Sequence, residues 1–490
     1  MKYLLGLDVG SSSVKGALVQ IDTGKIVASA FSPSVEMTID APKAGFAEQD
    51  PEKWWQEVKN VNAQLKSIIP FKPEEIAAIG ISYQMHGLVC VDKDGEVLRP
   101  AIIWCDSRAV TYGDAAFADM GNEYCLSSFL NSPGNFTASK LKWVKENEPA
   151  IYDKIYKIML PGDYIAYKLS GDMTTTVTGL SEGIFWNFKE EKIADSLLKY
   201  YEIDKNKLSD VVPTYGLQAR VNEKSEIELG IAAGTPISFR AGDQPNNACS
   251  LNVLNPGEIA ATAGTSGVVY GVTDQVVYDE DSRVNTFVHV NHTEADPRYG
   301  VLLCINGTGI LNSWVRKNFF DGASYQYLNE AAASVAPGSK GLLLYPFGNG
   351  AERVLKNQDA GASIRNINFN IHSKADIARA AQEGIVFSLN YGVEIMKQMG
   401  LQINTVRAGY ANMFLSDLFA EVFANTTGTV VELYNTDGAA GAARAAGVGA
   451  GIYKNAKESY TGMELIKSIE PDQKLSTVYQ NIYQQWKQKI

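Results

Sequence analysis

Two stretches of the chain, about half its length apart, repeat one pattern: an apolar strand, a tight turn of small polar residues, and a second apolar strand. The first is YLLGLDVGSSSVKGALVQ, starting at Tyr3, and the second is GEIAATAGTSGVVYGV, starting at Gly257. Laying Asp8–Ser13 over Thr262–Gly267 superposes turn on turn. A recurrence at this spacing is the mark of two similar folded halves. With 490 residues the chain also exceeds what one hydrophobic core ordinarily supports. The reading is an α/β protein of two domains, residues 1–242 and 243–490, with the boundary inferred from the second hairpin. A cleft between domains is then the first place to look for chemistry.

The segments between the hairpins alternate helix and strand. After the first hairpin an Asp-Thr-Gly-Lys turn leads into a third strand, which makes the opening a β-meander. Asp50 and Pro51 read as the N-cap and first residue of a helix whose apolar face is Trp54, Val58, Val61, Leu65 and Ile68. IAAIGISYQMHGLVCVD returns to buried-strand character, with a turn at Met85-His86-Gly87. Ser373 and Asp376 form a capping-box pattern ahead of a long helix that ends at Gly400, with Gly384 and Gly392 on one face. TDGAAGAARAAGVGAG, from Thr436, reads as a small-residue helix that lets another backbone approach closely.

Charge and cysteine content narrow the partners. Lys and Arg total 44 against 55 acidic residues, a formal net charge of -11. That balance disfavours nucleic acid or an anionic membrane as the main ligand. The five cysteines (Cys90, Cys105, Cys125, Cys249, Cys304) are scattered, odd in number and without metal-like spacing, so they read as reduced core residues. The apolar start Tyr3–Leu7 is interrupted by Asp8 too early for a signal-peptide core or a membrane span, and a cytoplasmic location is expected.

The two hairpin turns carry the chemistry. Gly10, Ser11, Ser12 and Ser13 in the first, with Lys15 beyond them, and Gly264, Thr265 and Ser266 in the second offer the backbone N–H groups and hydroxyls that suit polyphosphate oxygens. Asp8 is placed to hold the Mg²⁺ that accompanies such phosphates. No Walker-type or complete dinucleotide fingerprint occurs. Phosphoryl transfer to an alcohol needs a base, and Asp243, after the strand-like PISFRAG, is the candidate; an Asx-turn or helix N-cap is the alternative reading of the same residue. Met85 and His86 sit where a strand opens into a turn, the place where α/β sites gather; a satisfied structural histidine after a buried strand is the alternative reading. Trp104, Asp106 and Arg108 follow another apolar strand and either bind a polyol or form a surface ion pair. FTASKLKWVKEN, from Phe136, reads as a helix with Leu141, Trp143 and Val144 partly buried.

In this order the pieces resemble the FGGY carbohydrate kinase family over nearly the whole chain. GLDVGSSSVK is similar to its first phosphate motif, FTASKLKWVKEN to its N-terminal signature, and GTSG at 264–267 to its second phosphate motif. AQEGIVFSLNYGVEIM and RAGYANMFLSDLFAEVF resemble its C-terminal signature and adenosine motif, and YQMHGLVCVD with LRPAIIWCDSR is similar to its xylulose-phosphorylating branch. The resemblance implies two ribonuclease-H-like (actin-like ATPase) domains hinged about a central cleft, the first mainly sugar-binding and the second mainly nucleotide-binding. It implies ATP and Mg²⁺ as cofactors, Asp243 as the base, Asp8 near metal and phosphate, Met85 and His86 as sugar contacts, and Gly409, Tyr410 and Asn412 at the adenosine. The implied reaction is D-xylulose to D-xylulose 5-phosphate, with no nucleic-acid or membrane partner and a homodimer left open. Two motifs depart from the family pattern: the adenosine motif is Ala408-Gly409-Tyr410-Ala411-Asn412-Met413, where Tyr410 crowds or stacks on the base, and 360–362 is Ala-Gly-Ala. Kinases of ribulose, fuculose, gluconate or glycerol are the competing readings within the family. An actin-like ATPase without sugar kinase activity is the competing reading outside it.

Overall fold

The computed structural model describes all residues from Met1 to Ile490. The chain forms two compact units: unit 1 is Met1–Asn252, Phe287–Arg298 and Thr436–Met463, and unit 2 is Val253–Thr286, Tyr299–Asn435 and Glu464–Ile490. The first crossing, at 252/253, falls after the expected 242/243 boundary, because the helix that starts at Asp243 packs on unit 1 strands and on the small-residue helix from Gly438. Two later segments also return to unit 1, which a single linear boundary does not capture.

In unit 1, strands β1 (Tyr3–Val9), β2 (Val14–Gln20) and β3 (Ile26–Ser32) form the expected antiparallel meander. β4 (Ile76–Tyr83) pairs parallel with β1, and after β5 (Tyr215–Arg220), β6 (Pro236–Gly242) pairs parallel with β4. The six-stranded order is β5-β6-β4-β1-β2-β3. In unit 2, β7 (Glu258–Ala263), β8 (Gly267–Thr273) and β9 (Tyr299–Ile305) form a second meander. β10 (Thr405–Gly409) runs parallel beside β7, β11 (Val430–Tyr434) parallel beside β10, and β12 (Leu465–Ile469) antiparallel at the edge. Five consecutive strands of each sheet therefore run in the same order, β3-β2-β1-β4-β6 and β9-β8-β7-β10-β11. The hairpin repeat in the sequence is the visible end of this duplicated ribonuclease-H-like sheet.

Helix α1 (Pro51–Ile68) begins at Asp50, whose side chain accepts from Glu52 N, and it packs on β2 and β3 through Trp54, Val58, Val61 and Leu65. Trp55 is buried as well, whereas Ile68 is 51% exposed, because the chain leaves the helix in an extended conformation at Ile69. Unit 1 continues with α2 (Thr137–Asn147), α3 (Val177–Glu182) and α4 (Asp243–Ser250). Unit 2 has α5 (Gly309–Phe319) and α6 (Lys374–Gln398), the latter with the capping box at Ser373 and Asp376.

The small-residue helix α7 (Gly438–Gly449) lies on β1 and β4. A Cβ on Gly6 would come within 1.8 Å of the Ala439 carbonyl oxygen, and one on Gly80 within 2.0 Å of that of Ala442. Strand glycines facing helix alanines let the two backbones meet, and they draw the start of α7 down onto the end of β1. No helix is long and apolar enough to cross a membrane. All five cysteines are free, and Cys105 is exposed rather than in the core, since it lies in the loop beyond the apolar run that ends at Ile103.

Candidate active site

β6, β4 and β1 are adjacent and parallel, so their carboxyl ends lie side by side, where ligands of open α/β sheets bind. Asp243 follows β6, the Gln84–Gly87 turn follows β4, and Asp8 is the penultimate residue of β1. Three pieces separated widely in sequence thus converge in unit 1.

Asp8 accepts from Ser82 Oγ at 2.9 Å and stands opposite Lys15 in the β1–β2 register. Burial pushes its carboxyl up, an effect that Lys15 and Ser82 oppose and Asp437 reinforces. The start of α7 reaches the same point, since a Cβ on Gly438 would lie 2.8 Å from Asp8 Oδ2 and 3.2 Å from Asn247 Oδ1. Asp243 opens α4, and burial, followed by the charge of Asp8, pushes its carboxyl up to about 7. Two carboxylates that repel each other in a poorly solvated setting place one of them near neutrality, where a general base works best.

Met85 is buried, and His86 is partly exposed with φ 60°. His86 Nδ1 lies 2.9 Å from the Glu182 carbonyl oxygen, and its ring stands edge-on to Phe136 at 4.8 Å and tilted against Phe287 at 5.5 Å. Trp104 is 45% exposed, and its Nε1 donates to Ser11 Oγ at 3.3 Å, which ties the third expected substrate segment to the first turn. Gly10 N donates to Ser13 O at 3.1 Å and closes that turn; Ser12 and Lys15 are exposed.

Asp106 and Arg108 are not open polyol ligands, and their ion pair is internal rather than on the surface. Asp106 is fully buried and accepts from Ala47 N at 2.5 Å and from Arg108 Nη2 at 2.7 Å. Arg108 also reaches Glu48 at 2.7 Å and lies over the Phe46 and Trp143 rings, 3.7 and 4.7 Å from their centroids. Both polar heads are spent on holding the 45–48 and 104–108 loops together. Only tertiary partners far along the chain reveal this.

In unit 2 the Gly264–Ser266 turn meets the start of α5: Gly309 N donates to Gly264 O at 2.9 Å and Ile310 N to Thr265 O at 3.1 Å. Beside it lies a cavity of about 480 Å³ lined by Gly264, Thr265, Ile310, Asn329, Asn412 and Met413, among others. Asn412 lines it, whereas Ser266, Gly409 and Tyr410 lie outside the lining. Gly409 ends β10, and Tyr410 pairs through its N–H with Tyr434 O at 2.9 Å while its ring is 42% exposed.

Two buried acids escaped the sequence reading. Glu182, at the end of α3, is 1% exposed, and burial, then Asp243 and Asp163, push its carboxyl well above the usual range. A Cβ on Gly242 would lie 2.4 Å from Glu182 Oε2 and 2.6 Å from Met85 Cγ, so the glycine before Asp243 makes room for both. Glu352 in unit 2 accepts from Asn306 N at 2.9 Å and braces the turn into α5; burial pushes it up to about 7. Neither sits in a local pattern that distinguishes it from a surface acid.

Residues 3–249 match the N-terminal domain of the FGGY family of carbohydrate kinases, and residues 259–450 its C-terminal domain. The chain belongs to the FGGY family of carbohydrate kinases. A xylulose kinase of Bacillus subtilis (strain 168) is 28% identical over 500 residues, which cover 99% of this chain and 97% of the relative. Among solved structures, a ligand-bound xylulose kinase from Lactobacillus acidophilus is similar at a TM-score of 0.91 and 24% identity, covering 100% of this chain and 98% of that one. A gluconate kinase from Lactobacillus acidophilus is similar at a TM-score of 0.89 and 25% identity, covering 100% and 97%. This FGGY chain is therefore a sugar kinase with the two-unit fold of its family.

Proposed function

We propose that this kinase transfers the γ-phosphoryl group of ATP to the terminal hydroxyl of D-xylulose, giving D-xylulose 5-phosphate and ADP. The observation that carries the mechanism is the pairing of Asp243, poised near neutrality, with Asp8 at the carboxyl ends of two parallel strands, β6 and β1, that flank β4. Asp243 takes the hydroxyl proton as the sugar oxygen bonds to the γ-phosphorus, while the bridging bond to the β-phosphate breaks and its electrons leave on ADP. Met85 and His86 line the sugar side. The Gly10–Ser13 turn supplies N–H groups and hydroxyls to the transferring phosphoryl group. In unit 2, the cavity lined by Gly264, Thr265 and Asn412 is of a size that suits a nucleoside.

The donor set suits Mg²⁺. The oxygens of Asp8 and Asn247 meet at the start of α7, Asp437 adds to the negative field there, and burial penalises the charged Asp8 carboxylate. Bound there, Mg²⁺ would neutralise phosphate charge as it develops.

The choice of D-xylulose rests on the relatives, several of which are xylulose kinases matched over nearly their full length. The similar gluconate kinase keeps a sugar acid as the second reading. ADP release with Mg-ATP across D-xylulose, D-ribulose, L-fuculose, D-gluconate and glycerol, with a no-sugar control, tests this. Turnover concentrated on D-xylulose supports the proposal, and a different preferred sugar replaces the substrate while keeping the kinase. Equal turnover without sugar overturns the mechanism.

A further inference from the structure

α2 carries a lysine in its core face. Lys140 is fully buried among Ala138, Leu141 and Val144, at a position where an apolar side chain would cost far less to desolvate. Its ammonium makes two hydrogen bonds, both to main-chain carbonyls: His86 O at 2.8 Å and Ile103 O at 3.0 Å. These carbonyls belong to two different strand-end segments. His86 is the turn residue after β4, and Ile103 immediately precedes Trp104, whose indole reaches Ser11 Oγ.

His86 needs such support. It holds φ 60°, a left-handed conformation that a non-glycine residue keeps only where its surroundings over-determine it. Its Nδ1 is fixed by the Glu182 carbonyl and its ring by Phe136, the residue that caps α2, so the helix bearing Lys140 holds both the ring and the carbonyl of the same residue. Burial lowers the Lys140 pKa to about 7 against the attraction of Asp106, so holding the ammonium here is costly. A buried polar group kept at such a cost is best explained by the geometry that it specifies.

We propose that Lys140 is a positioning residue for sugar recognition: by clamping the His86 carbonyl to the Ile103 carbonyl, it holds the Met85–His86 turn in register with the Trp104 loop. The inference rests on His86 contacting the sugar, as set out under Proposed function. Lys140 touches neither substrate and acts through the shape of the turn, which predicts an effect on the sugar KM and none on the nucleotide.

The test is a double-mutant cycle of Lys140→Met and His86→Ala in the full-length enzyme, with the KM for D-xylulose and for ATP, kcat and thermal unfolding measured for each form. Lys140→Met should raise the sugar KM about tenfold or more, leave the ATP KM within about twofold, and add little when His86 is already alanine. An unchanged sugar KM, an equal rise in both KM values, or the same tenfold rise in the His86→Ala background would each overturn the inference. If Lys140→Met does not fold, Lys140→Gln carries the same comparison and should show a smaller rise confined to the sugar KM. His86→Ala alone tests the underlying reading: an unchanged sugar KM removes His86 from the sugar site, whereas a raised sugar KM with no effect of Lys140→Met removes only the clamp.

Discussion

If Asp243 is the base, kcat/KM for the sugar must follow the fraction of enzyme in which that carboxyl is ionised. Burial first, and the charge of Asp8 second, push it from 3.8 up to about 7. A group titrating there is ionised in about one molecule in ten at a pH one unit lower, and in about one in a hundred at two units lower. With Mg-ATP saturating and sugar limiting, kcat/KM should therefore fall roughly tenfold per pH unit below neutrality and level off above it. The assay is direct chromatographic measurement of ADP from about pH 5.5 to 8.5 at constant ionic strength, which avoids coupling enzymes with pH profiles of their own. A profile flat down to about pH 5 would mean that the base titrates like an ordinary aspartate, and the electrostatic argument for Asp243 would fail.

The raised Asp243 also sets a stability prediction. The native state binds its proton more tightly than the unfolded state, so Asp243 costs no stability below the unfolded value of 3.8, and its cost grows as pH rises and is complete above about 7. That cost is on the order of 4 kcal/mol as an upper figure. Asp243→Asn should accordingly raise the apparent melting temperature at about pH 8 by a few degrees and change it little at about pH 4, even as turnover is lost. Scanning calorimetry at the two pH values checks it, and a variant destabilised at both would contradict the sign. In unit 2, Glu352→Ala should leave the Asn306 N–H without its acceptor, loosen the turn into α5, and raise the ATP KM about tenfold with the sugar KM unchanged. Steady-state kinetics with each substrate varied in turn decides this, and a rise in the sugar KM alone would contradict it.

What was legible in the sequence was what local pattern encodes. The two hairpins showed as strand-turn-strand, α1 announced itself through Asp50, Pro51 and its apolar face, and the alanine-glycine run of α7 signalled close backbone contact. Asp243, Asp8 and the Met85–His86 turn were singled out by motif, and parallel pairing of β6, β4 and β1 brings their strand ends together. The misses share a different cause. Asp106 and Arg108 look like solvated charges until Glu48, Ala47 and Phe46, about sixty residues away, fold over them. Lys140 occupies a helix position that reads as surface by residue type, and Glu182 lies in a stretch with no signature. Burial of a charge depends on which elements cover it, and single-sequence periodicity carries no record of that.

The central claim is that Asp243 drives phosphoryl transfer to the terminal hydroxyl of a ketose. ³¹P NMR of reactions containing D-xylulose and Mg-ATP, run with the wild-type enzyme and with Asp243→Asn, addresses it directly. The account predicts a phosphomonoester signal coupled to two methylene protons, growing in step with ADP for the wild type and about a hundredfold or more slower for Asp243→Asn. Inorganic phosphate as the only new species, or an ester formed by Asp243→Asn at the wild-type rate, would contradict it.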